Sequence, residues 1–156
     1  AGSTRTWLGQ RAETRADALE PDARVAALRR AVQIDPTSGE ARLALGLAEL
    51  DVHDAARARD DLRASRELLA NAGTDAAIGE ASLELGDVAG ALTAFTSALA
   101  LTPGSARAHL GLAEAERRAG HDDDAERDAS IAARLLPGDP RPRALLDAIR
   151  EQRMDH

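Results

Sequence analysis

The sequence predicts an all-α fold of stacked antiparallel helix pairs, and three observations carry that reading. The strong helix formers Ala, Leu, Glu and Arg dominate, while Val, Ile and Thr are sparse. The apolar fraction is 44%, yet there is one Trp, one Phe and no Tyr. A core must then come from close helix contact through small side chains, not from aromatic plugs. Third, the chain repeats itself. "LALGLAELDVHDAARARDDL" (43–62), "AAIGEASLELGDVAGALTAF" (76–95) and "LGLAEAERRAGHDDDAERDA" (110–129) superimpose without gaps. Leu45, Ile78 and Leu112 fall in one column, separated by 33 and 34 residues. A period in that range marks a stacked helical array.

Other columns agree. Gly46, Gly79 and Ala113 match, as do Ala58, Ala91 and Ala125; Leu62, Phe95 and Ala129; and Leu68, Leu101 and Leu135. Little or no side chain at the first two sets lets the two helices of a hairpin approach closely.

Taken in order, residues 1–38 read as a degenerate or capping repeat. Its first helix, roughly 4–19, matches poorly and carries Trp7 as an expected anchor. Its second helix places Leu28, Ala31, Val32 and Ile34 in the expected columns. Thr37 and Glu40 after Pro36 are the expected capping box of the next helix. Three repeats follow at 39–71, 72–105 and 106–139, with hairpin turns at Val52-His53-Asp54, Gly86-Asp87 and Gly120. "LTPGSA" and "LLPGDP" punctuate the later junctions, whereas "LLANAGT" lacks a proline and is the weakest seam. Residues 140–156 form a single amphipathic helix whose Leu145, Leu146 and Ile149 are expected to cover the last hairpin.

These residues resemble the tetratricopeptide repeat family, whose hairpin of about 34 residues reads W-x₂-L-G-x₂-Y, then A-x₃-F, then P. Ile78-Gly79 stand for the L-G pair, Ala91 and Phe95 for A-x₃-F, and Pro103 for the proline. The aromatic columns depart from the pattern: Arg42, Asp75 and His109 sit at the Trp column, and Glu49, Ser82 and Glu116 at the Tyr column. The resemblance implies a right-handed α-solenoid, here of about nine helices. It also implies a concave groove lined by the first helix of each hairpin, which holds a protein or peptide segment.

Helical spacing then selects the groove face: Leu43, Leu47 and Leu50; Ala76, Glu80, Leu83 and Glu84; Arg107, Leu110, Glu114 and Arg117. The cap helix adds Arg141. The Lys/Asn/Arg clamp of the family's chaperone-tail binders is absent, since its positions hold Leu43, Leu47, Ala76, Glu80, Arg107 and Gly111. Apolar anchors are the expected ligand feature, with a basic residue favoured by Glu80, Glu84 and Glu114. Leu43, Leu47 and Leu50 keep a second reading, packing on the N-terminal helix or on a second copy. Glu114 and Arg118 are spaced for an i, i+4 ion pair.

The net charge of −7 and pI of about 5.1 argue against nucleic acid. All 20 basic residues are Arg, as in a bacterial chain from a GC-rich genome, and cysteine is missing, which removes disulfides and thiolate chemistry. No apolar run reaches the ~18 residues of a membrane span. The first residues, "AGSTRTW", lack Met and read as a cut, so the compartment stays open between cytoplasm and periplasm. "GHDDDAERD" (120–128) clusters His121 with three Asp, but at a helix start these complement the dipole and point in different directions. No nucleophile–base pair or phosphate loop can be named. The expectation is a non-enzymatic interaction module with no metal or cofactor. Its alternatives are a self-associating homo-oligomeric scaffold and a regulatory appendage of a larger enzyme or secretion protein.

Overall fold

A computed structural model describes residues 20–155 of the chain. They form eight helices and no strand: α1 (Pro21–Ile34), α2 (Gly39–Asp51), α3 (Ala55–Leu68), α4 (Ala72–Glu84), α5 (Val88–Leu101), α6 (Ala106–Ala119), α7 (Asp122–Leu135) and α8 (Arg141–Met154). The helix expected at 4–19, with Trp7, lies outside the described residues. The chain divides into two compact units between Leu68 and Leu69, at the seam that lacks its proline.

Unit 1 holds α1, α2 and α3. Pro21 opens α1, where a missing N–H costs nothing. The cap of α2 differs from expectation. Ser38, not Thr37, accepts from the Ala41 N–H at 3.1 Å, and Thr37 turns back to Asp35 at 2.7 Å. Asp35 competes successfully for the Thr37 hydroxyl and N–H, so the helix starts one residue later. The α2–α3 turn puts His53 at φ 59°, an unusual conformation for a non-glycine. Gly46 is indispensable by space: a Cβ there would lie 2.5 Å from Leu62 Cγ, and Leu62 is fully buried. Ser65 donates to the Gly39 carbonyl at 2.7 Å, tying the end of α3 to the start of α2. Val25, Leu45 and Ala48 form the core between α1 and α2, flanked by Leu28, Val32 and Val52.

Unit 2 holds α4 to α8. Asn71, Asp87 and Ser105 cap α4, α5 and α6 by accepting from Gly73, Gly90 and Ala108 N–H groups. Gly86 and Gly120, at φ 75° and 79°, turn α4 into α5 and α6 into α7. Each hairpin, α4–α5 and α6–α7, packs on itself; α5 also packs on α6, α7 on α8, α4 on α6 and α6 on α8. Thus α4, α6 and α8 form one layer, and α5 and α7 the other. The one phenylalanine, Phe95, is fully buried among Ala76, Ala91, Ala98, Ala108 and Ala115. Its tip is wedged between Gly79 of α4 and Gly111 of α6, and a Cβ at Gly79 would meet it at 2.7 Å. As expected of the cap, Ile149 is fully buried against Ala113, Ala125 and Ala129, with Leu145 and Leu146 beside it.

Candidate functional site

The α4–α6–α8 layer of unit 2 encloses an open pocket of about 380 Å³, lined by Glu80, Ala106, Arg107, Leu110, Gly111, Glu114, Leu136 and Arg141. Each hairpin contributes through its first helix, so the helical register of α6 places Arg107, Leu110, Gly111 and Glu114 on one face. Ala106, Leu110, Gly111 and Leu136 supply apolar surface. Two carboxylates and two guanidinium groups balance to zero charge, within a chain of net charge −7.

These charges are already engaged. Arg107 donates to both oxygens of Glu80, at 2.6 and 2.5 Å, a bidentate bridge from α6 to α4. Glu114 accepts from Arg117 at 3.0 Å and from Arg118 at 2.6 Å, the expected i, i+4 pair plus a second partner. Burial opposes its ionisation, but the two guanidinium groups prevail and hold its carboxyl below the usual glutamate range. Arg118 also donates to the Leu83 carbonyl near the end of α4, at 3.0 Å, and Arg117 to Gln152 of α8, at 3.2 Å. Arg141 grips Asp139 at 2.5 Å and depresses that carboxyl through their hydrogen bonds. Glu80 and Glu114 therefore present little uncompensated negative charge.

Of the residues picked from the sequence, the structure gathers Glu80, Arg107, Leu110, Glu114 and Arg141 into this pocket. Ala76 is a correction: at 2% exposure it belongs to the core around Phe95 and offers no surface. Leu83 is half-buried against the same core, Arg117 acts through Glu114, and Glu84 lies exposed at the end of α4. Leu43, Leu47 and Leu50 are half-buried on α2, in unit 1. Ala106 and Leu136 were not picked. Leu136 sits in a loop, where helical periodicity gives no signal.

A second polar cluster joins α6 to α7. The ring nitrogens of His109 meet Asp128 Oδ1 at 2.6 Å and the Pro103 carbonyl at 2.9 Å. Asp128 and the neighbouring Glu116 are 7% and 9% exposed. In the aspartate run, Asp123 pairs with Arg153, and Asp124 with Arg127 at 2.6 Å. Among the described residues no three His, Cys, Asp or Glu side chains form a metal-binding group, and no helix is long and apolar enough to cross a membrane.

Fold and pocket together define a helical-hairpin repeat protein with a lined cleft on its first-helix layer. More particularly, residues 82–149 match the tetratricopeptide repeat model. No sequence match was found among curated proteins. Solved structures share the fold. MamA aligns at 22% identity over 94% of this chain and 84% of its own, with a TM-score of 0.79. YrrB, described as a tetratricopeptide repeat protein with an unusual peptide-binding site, aligns at 14% identity over 87% and 71%, TM-score 0.72. The second such domain of human RPAP3, solved with an HSP70 peptide, aligns at 22% identity over 67% and 88%, TM-score 0.63.

Proposed function

We propose that the protein is a non-catalytic interaction module, an adaptor or scaffold, and that the unit 2 pocket seats a side chain of a partner peptide or protein segment. The supporting observation is the convergence of α4, α6 and α8 on a cleft with an apolar floor and a rim of internally paired charges. An aliphatic or aromatic anchor on Leu110, Ala106 and Leu136 removes apolar surface from water. The Glu80–Arg107 bridge and Arg141 meet the polar backbone around it. Domains of RPAP3 with this fold are solved with HSP70 and HSP90 peptides, so the fold can hold a peptide.

The test is selection from a displayed random-peptide library on the wild type, Leu110→Glu and Leu47→Glu. Leu110→Glu is expected to lose the enriched peptides while keeping full helical content. Leu47→Glu reports whether the α2 face of unit 1 takes part. Peptides retained equally by Leu110→Glu would refute the pocket assignment.

One observation favours a second reading, self-association. In unit 2, Leu101 and Leu135, at one column of α5 and α7, are 55 and 44% exposed. Such aliphatic surface suits a second copy. Light scattering across a concentration series decides it, since a constant monomer mass would remove the reading.

A further inference from the structure

Residues 109 and 116 lie on the opposite side of α6 from the pocket residues, by the helical period. We propose that Glu116, Asp128 and His109 form a proton-operated clasp between α6 and α7, closed while the cluster holds a shared proton and loosened when that proton leaves.

The geometry calls for a proton. Both ring nitrogens of His109 are engaged, one with the Asp128 carboxylate and one with the Pro103 carbonyl, so His109 ties Asp128 to the start of α6. Beside Asp128 lies the second buried carboxyl, Glu116, whose Oε2 has no hydrogen-bond partner. Two buried carboxylates so placed cannot both ionise cheaply.

The same column of unit 1 shows what is missing here. Glu49, 1% exposed, accepts from Arg29 of α1 at 3.0 Å; burial still raises its carboxyl and its Oε2 is likewise unpartnered, but Arg29 opposes that rise, and Glu116 has no such guanidinium bond. The residue corresponding to Arg29 on α5 is Thr96, which hydrogen-bonds its own helix. No residue of α5 is ionisable.

The other helices packed on α6 do not supply the missing cation. On α7, Asp128 and Asp124 face Glu116, and Arg127 is drawn outward to Asp124 with its side chain 64% exposed. From α4 come Asp75, Glu80 and Glu84, all acidic, with Glu80 held by Arg107. On α8, beside Arg143, Asp147 and Glu151, Arg141 is taken by Asp139, and Arg150 and Arg153 by Glu126. Burial, then the charges of Asp128 and Asp124, push the Glu116 carboxyl up to about 7.

The sign follows. Between the ordinary glutamate range and about pH 7 the folded protein keeps a proton that the unfolded chain has released, so stability falls as pH rises through that window. The loosening concerns α6, which also carries Arg107, Leu110, Gly111 and Glu114. The clasp stands whether or not the pocket binds peptide.

The test uses the full chain without ligand. Carboxyl ¹³C NMR follows Glu116 from pH 4 to 9. Hydrogen exchange, corrected for intrinsic rates, follows α6 and α7 in wild type, Glu116→Gln, His109→Gln and the double variant. The expected Glu116 midpoint is about 7. Protection in α6 and α7 of the wild type should drop on the order of tenfold between roughly pH 5 and 8. Glu116→Gln, a stand-in for the protonated acid, should flatten that drop in both backgrounds, and His109→Gln alone should retain part of it. A Glu116 midpoint in the ordinary glutamate range, or an unchanged slope in Glu116→Gln, overturns the proposal. If Glu116→Gln does not fold, the wild-type midpoint decides alone.

Discussion

Gly111→Ala provides the sharpest check on the core of unit 2, because two effects of opposite sign meet at one methyl group. In an α-helix interior, Gly to Ala ordinarily gains about 1 kcal/mol. Here the new Cβ would fall inside van der Waals distance of Cε1 and Cζ of Phe95. The ring has no room to retreat, being fully buried with Gly79 against the same tip. Overpacking of this kind costs about 1–3 kcal/mol, so the net change in the wild type is a loss of up to about 2 kcal/mol. Phe95→Ala alone removes the ring and should cost roughly 3–5 kcal/mol. In that background Gly111→Ala meets no ring, and its effect should reverse to a gain of up to about 1 kcal/mol. Urea unfolding followed by far-UV circular dichroism, on the two single variants and the double, closes the cycle. An equal cost of Gly111→Ala in both backgrounds would show that the methyl does not meet Phe95, and the wedge would have to be abandoned.

Two further outcomes are expected. Ser38→Ala should lower the stability of unit 1 by about 1 kcal/mol while Thr37→Ala stays within about 0.5 kcal/mol, read from hydrogen exchange of the first turn of α2; the reverse order would restore Thr37 as the cap. Glu80→Gln should change stability by less than about 1 kcal/mol, because the pair with Arg107 is part-exposed. It also takes the pocket lining from balance to one net positive charge, so repeated peptide selection should shift toward acidic sequences, and an unchanged set of peptides would place binding elsewhere.

What the sequence made legible is what depends on spacing along one chain. The column register picked out Gly79 and Ala91 as the small residues of the hairpin contact, and the amphipathic pattern of the last helix located Leu145, Leu146 and Ile149. The i, i+4 rule located Glu114 with Arg118. Periodicity also placed Glu80, Arg107, Leu110 and Glu114 on the face that becomes the pocket. The misses depend on how neighbouring hairpins stagger. Gly111 touches Phe95 from the next hairpin, at an offset no single repeat encodes. Ala76 meets the groove criterion by helical angle, yet the packed core claims it. Glu80 looked like an open acid because nothing in the sequence says that Arg107, 27 residues on, reaches back across the interhelical gap. The Ser38 cap was missed by one residue because Asp35 captures the Thr37 hydroxyl, a contest settled by loop geometry.

The lost aromatic columns are compensated by volume exchanged between positions. In the α4–α5 hairpin, where the second helix carries Phe95, the Trp and Tyr columns hold the short side chains of Asp75 and Ser82, both buried. In the α2–α3 hairpin the ring is replaced by Leu62, and the same two columns hold the long Arg42 and Glu49; Arg42 reaches Asp61 at 3.3 Å. The α6–α7 hairpin has only Ala129, and His109 and Glu116 fill the columns, with His109 reaching Asp128. Asp61 and Asp128 share one column, where the middle hairpin has Ala94. A small residue on the second helix thus goes with large polar residues on the first, and these bring buried charge that needs a partner. Arg29 is that partner for Glu49; Glu116 lacks one, which is why the proton-dependent cluster arises in the hairpin with the smallest second-helix residue. Restoring an aromatic at one column alone would overfill the site, and shortening the polar pair alone would open a void, so the columns can only change together.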